Sequence, residues 1–173
     1  ADGVIAVGQI DDFAVVKDFA ALLRQFRGVG VHHAQAVPLV VIAGDVFLFV
    51  NNDMKFEPTM VSRLVDALDG DAACAGARVM SWDGTSIDFV RGTSSFEARG
   101  FQEQFGQAYE PGMALAESFF PNGGAFAVTR RAYEDAGGFD PALFAYYDDI
   151  DLGWRLRMAG HGIRTVPDAV AYH

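Results

Sequence analysis

Three aspartates stand within four positions, Asp148, Asp149 and Asp151, and a segment with helical spacing that carries Trp154 and Arg155 follows at once. Carboxylates in the first turn of a helix meet free backbone N–H groups, which stabilise them by about 0.3–1 kcal/mol each. Asp151 precedes Arg155 by four residues, the spacing of a helical ion pair. Two uses fit the cluster. One is structural, a set of caps and a solvated salt bridge. The other is chemical, because a helix N-terminus keeps a carboxylate ionised and ready to accept a proton. A second acidic position, Asp53, closes the run "VFLFVNND", in which a buried strand leads into Asn51 and Asn52. The carboxyl ends of strands are where open α/β sheets bind ligands, although Asn and Asp also serve there as ordinary turn residues. Gly123 and Gly124 interrupt "FFPNGGAFAV"; they either let the backbone approach a ligand closely or mark a bulge.

Positioning these residues takes alternating elements. "GVIAV" reads as a short buried strand, and residues 11–26 as a helix with Asp12 as its cap and Phe13, Val16, Ala20 and Leu23 at helical spacing. Residues 28–44 carry Gly, His32, His33 and Pro38 without a clear period, and the two histidines read as loop residues. "DVFLFV" is continuous and apolar, as strands buried on both faces are. A helix follows Pro58, with Val61, Leu64, Val65 and Leu68 on one face and Gly70 past its end. "ACAGARVM" predicts a further strand. Residues 82–118, rich in Gly, Ser and polar side chains, predict a long excursion with weak regular structure. A strand after the Gly pair then leads into a short helix capped by Thr129 and ended near Gly137. In the last helix, Ile150, Trp154 and Met158 recur at i, i+4 and i+8, which marks the expected core side.

Composition narrows the chemistry. With 173 residues, 51% of them hydrophobic, the chain can bury a substantial core as one domain. Its 23 acidic against 13 basic residues exclude a nucleic-acid footprint, which needs clustered cations. The single cysteine, Cys74, has no intrachain partner and reads as a small buried hydrophobe. The longest apolar stretch is broken by Pro38 and Asp45 and falls short of the ~20 residues of a spanning helix. Solubility, with at most peripheral membrane association, is expected.

The blocks "FLFVNNDMKFEP" and "FPNGGAFAVTRRAYEDAGGFDPALFAYYDDIDLGWRLRMAGHGIRTVPDAVAYH" resemble family 2 glycosyltransferases of the GT-A fold, especially the rhamnosyltransferase-like branch. The resemblance covers about residues 45–70 and 119–173. It implies an α/β architecture, a GT-A-like mixed, mostly parallel sheet flanked by helices. It also implies one domain over residues 1–173, with 1–53 part of the nucleotide-sugar-binding half and 54–173 the acceptor and catalytic half. The implied activity is inverting transfer of a sugar, rhamnose among the candidates, from a UDP- or dTDP-sugar to a glycan or lipid-linked acceptor in cell-surface polysaccharide synthesis. The implied place is the cytoplasm, at the inner face of the membrane. Carried over residue by residue, the resemblance makes Asp53 a ligand of a divalent cation, Mn²⁺ or Mg²⁺, that bridges the donor diphosphate, and His173 another ligand. Asp149 becomes the catalytic base and Asp148 its acidic neighbour. Asn51, Asn52, Gly123, Gly124, Asp151, Trp154 and Arg155 fall around donor and acceptor. Phe120, Tyr146 and Tyr147 suit either stacking on sugars or core packing.

The chemistry accounts for these residue types. A departing nucleoside diphosphate develops negative charge, and a hard dication on carboxylate oxygens neutralises it without a basic protein surface. An imidazole ligand favours Mn²⁺ over Mg²⁺. The N-terminal region departs from the family's pattern. The chain opens near the family's second strand, Gly8 stands where a nucleoside-binding aspartate is expected, and Asp11 or Asp12 matches a later acid of that turn. The expectation is a domain lacking its first nucleotide-binding strand, with weakened donor binding and no transfer by these 173 residues alone. The alternative from another class is a non-catalytic GT-A-like module that binds a glycan or partner in a larger assembly. Such a module would need the aromatics and not the metal.

Overall fold

A computed structural model of the chain describes residues 7–9, 39–43, 45–51, 53–97, 99–112, 114, 116–143 and 146–173. The helix expected over 11–26, His32, His33 and Asn52 lie outside the described residues. The apolar run Val46–Val50 forms strand β3, and its alternation sends Phe47 and Phe49 to one face and Leu48 and Val50 to the other. Before it come β1 (Val7–Gln9) and β2 (Leu39–Ala43). After it come β4 (Lys55–Phe56), helix α1 (Met60–Asp66) and β5 (Cys74–Met80).

Residues 82–118, expected to hold little regular structure, contain four short strands. These are β6 (Ile87–Phe89), β7 (Arg91–Ser94), β8 (Gly100–Glu103) and β9 (Ala116–Glu117). The chain then runs through β10 (Ala125–Thr129), helices α2 (Arg130–Asp135) and α3 (Asp148–Met158), and β11 (Ile163–Tyr172). Thr129 caps α2 as expected, its side chain accepting from the Ala132 N–H.

The main sheet has the order β1-β2-β3-β10-β5-β11-β4, with β6 added to β5 and β9 to β11, while β7 and β8 form a separate hairpin. The mixed α/β sheet with flanking helices is as expected, but "mostly parallel" needs correction. Among the described residues only β1–β2 and β5–β11 pair in parallel; the other pairings of the main sheet are antiparallel. A strand buried on both faces shows the same apolar run whichever way its neighbours point.

One face of the sheet packs on α1 through Met60, Val61 and Leu64, and on Phe89 and Phe120. The other packs on α2 and α3 through Ala132, Leu152 and Leu156, and holds Cys74. Burial pushes the Cys74 thiol far up, so it behaves as a hydrophobe. Because β10 runs against β3 while β5 and β11 run together, the ends of β3, β5 and β11 and the start of β10 meet at one edge: Val50 lies opposite Ala125, and Met80 opposite Tyr172. No described helix is long and apolar enough to cross a membrane.

Candidate active site

That edge gathers most of the residues singled out by sequence. Gly123 and Gly124 precede β10 in a turn and do not bulge it. A Cβ on Gly124 would stand 2.7 Å from Asn51 Nδ2, and one on Gly123 would stand 3.3 Å from Asp149 Cβ. The pair is therefore the hinge between the end of β3 and the start of α3, closed by the Asn51 N–H donating to the Gly124 carbonyl at 2.9 Å. Gly123 N–H donates to Asp149 Oδ2 at 3.3 Å, and Ile150 N–H to Asp149 Oδ1 at 2.8 Å.

The three aspartates all lie in the first turn of α3, but the cap is Tyr147 and not an aspartate. Tyr146 and Tyr147 both have left-handed backbones, φ 67° and 66°, a conformation that costs non-glycine residues about 1–2 kcal/mol each. Neighbouring structure holds the pair there, as at many functional sites. The strained turn delivers the aspartates to the edge and leaves both tyrosine rings exposed, whereas Phe120 is core. Asp149 does not keep the low pKa expected of a carboxylate at a helix start. Burial, and then the Asp148 charge beside it, push it up to about 6, outweighing the Gly123 and Ile150 N–H groups that pull it down.

The core side of α3 also needs correction. Trp154 and Met158 are 39% and 77% exposed, and the buried face is Leu152, Gly153 and Leu156. A Cβ on Gly153 would fall 2.6 Å from Phe120 Cβ and 2.7 Å from the Phe119 carbonyl oxygen, so glycine is what lets the helix lie on this segment. Trp154 instead caps the contact from outside, edge-on to Phe119 at 5.6 Å, with Nε1 donating to Met158 Sδ. Asp151 and Arg155, expected near the ligands, form an ion pair at 2.5 Å. Arg155 also donates to the carbonyls of Ala136 and Gly138, tying α3 to the end of α2. Their polar atoms are engaged in holding the helix.

At the same edge Asp53 and His173 meet across 120 positions of sequence, His173 Nε2 lying 3.8 Å from Asp53 Oδ2. Both side chains are about half exposed. The other ring nitrogen, Nδ1, lies 3.4 Å from Asp88 Oδ2. Nothing in the sequence marks Asp88; it sits between the buried Ile87 and Phe89 in a three-residue strand with no motif around it, and the pairing of β6 with β5 brings it here. Among the described residues no three His, Cys, Asp or Glu side chains converge closely enough to form a metal cage by themselves. A carboxylate and an imidazole open to solvent, the ring turned by a second carboxylate, nevertheless fit a divalent cation whose remaining positions go to water or phosphate oxygens.

Comparison with known proteins adds three findings. The family described as Glycosyltransferase like family 2 matches residues 11–173. Among curated proteins, the chain is 29% identical over 144 residues to N-acetylglucosaminyl-diphospho-decaprenol L-rhamnosyltransferase of Mycobacterium tuberculosis, covering 75% of this chain and 47% of that protein. It is 24% identical over 173 residues to the pre-mycofactocin glycosyltransferase of the same organism, covering 99% of this chain and 36% of the relative. The chain thus spans less than half the length of these relatives. Among solved structures, GalNAc-T7 with UDP, GalNAc and Mn²⁺ superposes with a TM-score of 0.59 at 13% identity, over 96% of this chain and 36% of that one. The fold is GT-A-like.

Proposed function

The chain belongs to the glycosyltransferase-like family 2, and from that premise we propose that it carries the catalytic half of an inverting glycosyltransferase. Its donor would be a nucleotide diphosphate sugar and its acceptor a glycan or a lipid-linked saccharide. The names of the curated relatives, a rhamnosyltransferase acting on a diphospholipid-linked sugar among them, favour this class of substrates.

One observation carries the reading. The carboxylate of Asp149 is held at the sheet edge against the Gly123 N–H, with its pKa raised to about 6. Such a group is ionised at neutral pH and more basic than an exposed aspartate, as a general base needs. The acceptor hydroxyl gives its proton to Asp149 while its oxygen bonds to the anomeric carbon. The bond from that carbon to the donor phosphate oxygen breaks, and the electron pair leaves with the nucleoside diphosphate. Gly153 and the Arg155 tie fix the base by fixing α3. Asp53 and His173 would hold a divalent cation, Mn²⁺ or Mg²⁺, which supplies charge neutralisation at the leaving diphosphate.

The test is Asp149→Asn in the full protein. Turnover is expected to fall about 10²–10⁴-fold, the contribution of a positioned base, with donor and metal affinity nearly unchanged. Wild-type turnover by this variant would rule the role out.

A further inference from the structure

An open cleft of about 670 Å³ lies beside this edge and takes no part in the chemistry above. Lys55, Arg78, Tyr109 and Tyr172 line it, with Glu57 and Asp83 at its polar parts. In this acidic chain its two cations stand apart. Among the described residues, every arginine other than Arg78 and Arg157 pairs with a carboxylate, and Arg157 donates to the Ser118 carbonyl. Arg78 has no such partner. Its guanidinium lies 3.4 Å from the centre of the Tyr109 ring, and its buried Nε makes no hydrogen bond. Lys55 Nζ sits between two aromatic faces, 4.8 Å from Trp82 and 4.6 Å from Tyr172, and among the described residues donates only to the Trp82 carbonyl. The nearby acids keep their charge, but none pairs with Arg78 or Lys55, and each is turned to a neutral donor. Glu57 accepts from the Tyr172 hydroxyl, and Asp83 from Ser81 and Thr85.

The cleft also faces the right way. Along β5, Cys74, Gly76, Arg78 and Met80 alternate onto one face. A Cβ on Gly76 would lie 3.2 Å from Pro121, two residues before the Gly123 that holds Asp149. Arg78 is the next residue on that face, about 7 Å further along the strand.

We propose that this cleft is a binding site for a sugar bearing an anionic group, phosphate or carboxylate, and that it orients the acceptor of the transfer reaction. The role as acceptor site rests on the function proposed above. The guanidinium and the ammonium take the anion, Arg78 in the bidentate way its fork allows. The ring of Tyr172, which lines the cleft, takes the C–H side of the sugar. Two cations without carboxylate partners, set among aromatic rings, suit an anion joined to a ring better than either alone.

The experiment is direct binding to the full protein without donor or metal, followed by NMR shifts and calorimetry. Its probes are glucose 1-phosphate, glucuronic acid, glucose and inorganic phosphate. At least one anionic sugar is expected to saturate with an affinity about tenfold or more above glucose and inorganic phosphate, and the better of the two identifies the anion. Arg78→Gln and Lys55→Gln, checked for unchanged thermal unfolding, should each weaken that binding about tenfold. Lys55 is exposed, so its variant keeps the test valid if Arg78→Gln unfolds. Equal affinity for glucose, inorganic phosphate binding as tightly as the sugars, or indifference to both variants would overturn the proposal. No step of this measurement uses Asp149 or the cation, so its failure is separate from failure of the transfer reading.

Discussion

The two acidic centres at the sheet edge are built in opposite ways. Asp149 is partly buried, clasped by backbone N–H groups, and placed by a helix that starts from two left-handed tyrosines. Asp53 and His173 are half exposed, joined across a 3.8 Å gap, and supported by one further carboxylate. The first arrangement changes the acid strength of a carboxyl group; the second leaves oxygen and nitrogen atoms open to an ion and its other ligands. A proton acceptor gains from dehydration because its basicity rises. A site for a hydrated dication gains from access, since such an ion keeps several oxygen ligands from water or phosphate. On the proposed function, neighbouring residues on one edge would divide proton chemistry from charge neutralisation.

If the difference lies in how each centre is held, perturbing the holder should affect one centre and spare the other. Gly153→Ala is the strongest such test. Its Cβ would press on Phe120 and on the Phe119 carbonyl, so α3 must shift. Overpacking of this kind costs about 1–3 kcal/mol, and misplacing a reacting group by about 1 Å can cost about 100-fold in rate. Thermal unfolding and turnover should both fall while metal affinity stays. The mirror experiment is Asp88→Asn, which removes the carboxylate beside the His173 ring. Loss of such a partner lowers metal affinity by about 10–100-fold, read by Mn²⁺ titration, and Asp149 should be untouched.

A smaller effect concerns stability. Because the pKa of Asp149 is raised from the ordinary value of 3.8 to about 6, the folded chain holds a proton that the unfolded chain has released. Stability from this group is therefore lost as pH rises between about 4 and 6, and above that range the buried charge costs about 2–3 kcal/mol at most. Asp149→Asn should remove that cost, making the variant more stable than wild type at pH 8 by denaturant unfolding, with little difference near pH 4. An inactive variant that is also less stable at pH 8 would favour a capping role.

How far the sequence revealed this site depends on which force acted. Asp53 and His173 were legible because both close apolar strand runs, and strand ends share an edge. Thr129 was legible because a cap is a local property. The face of α3 was not. The spacing of Ile150, Trp154 and Met158 looked like a core stripe, yet the closest approach in the helix is made by Gly153, which adds nothing to an apolar period. The strands between 82 and 118 are hidden in the sequence because they have only two to four residues each, too few to show a period, and all but Ile87–Phe89 are mostly half-buried or exposed. Asp88 gained its place only through tertiary pairing. The raised pKa of Asp149 reverses what its helix position suggests, since burial is a property of the whole fold.

The most direct measurement of the central claim is the pH dependence of kcat/KM for sugar transfer by the full protein, wild type beside Asp148→Asn. If Asp149 is the base, activity falls on the acid side with an apparent pKa near 6. Removing the neighbouring Asp148 charge should then move that limb to lower pH while activity on its plateau persists. An acid limb that stays in place in Asp148→Asn, or a wild-type profile flat from pH 5 to about pH 8, would show that Asp149 does not take the acceptor's proton.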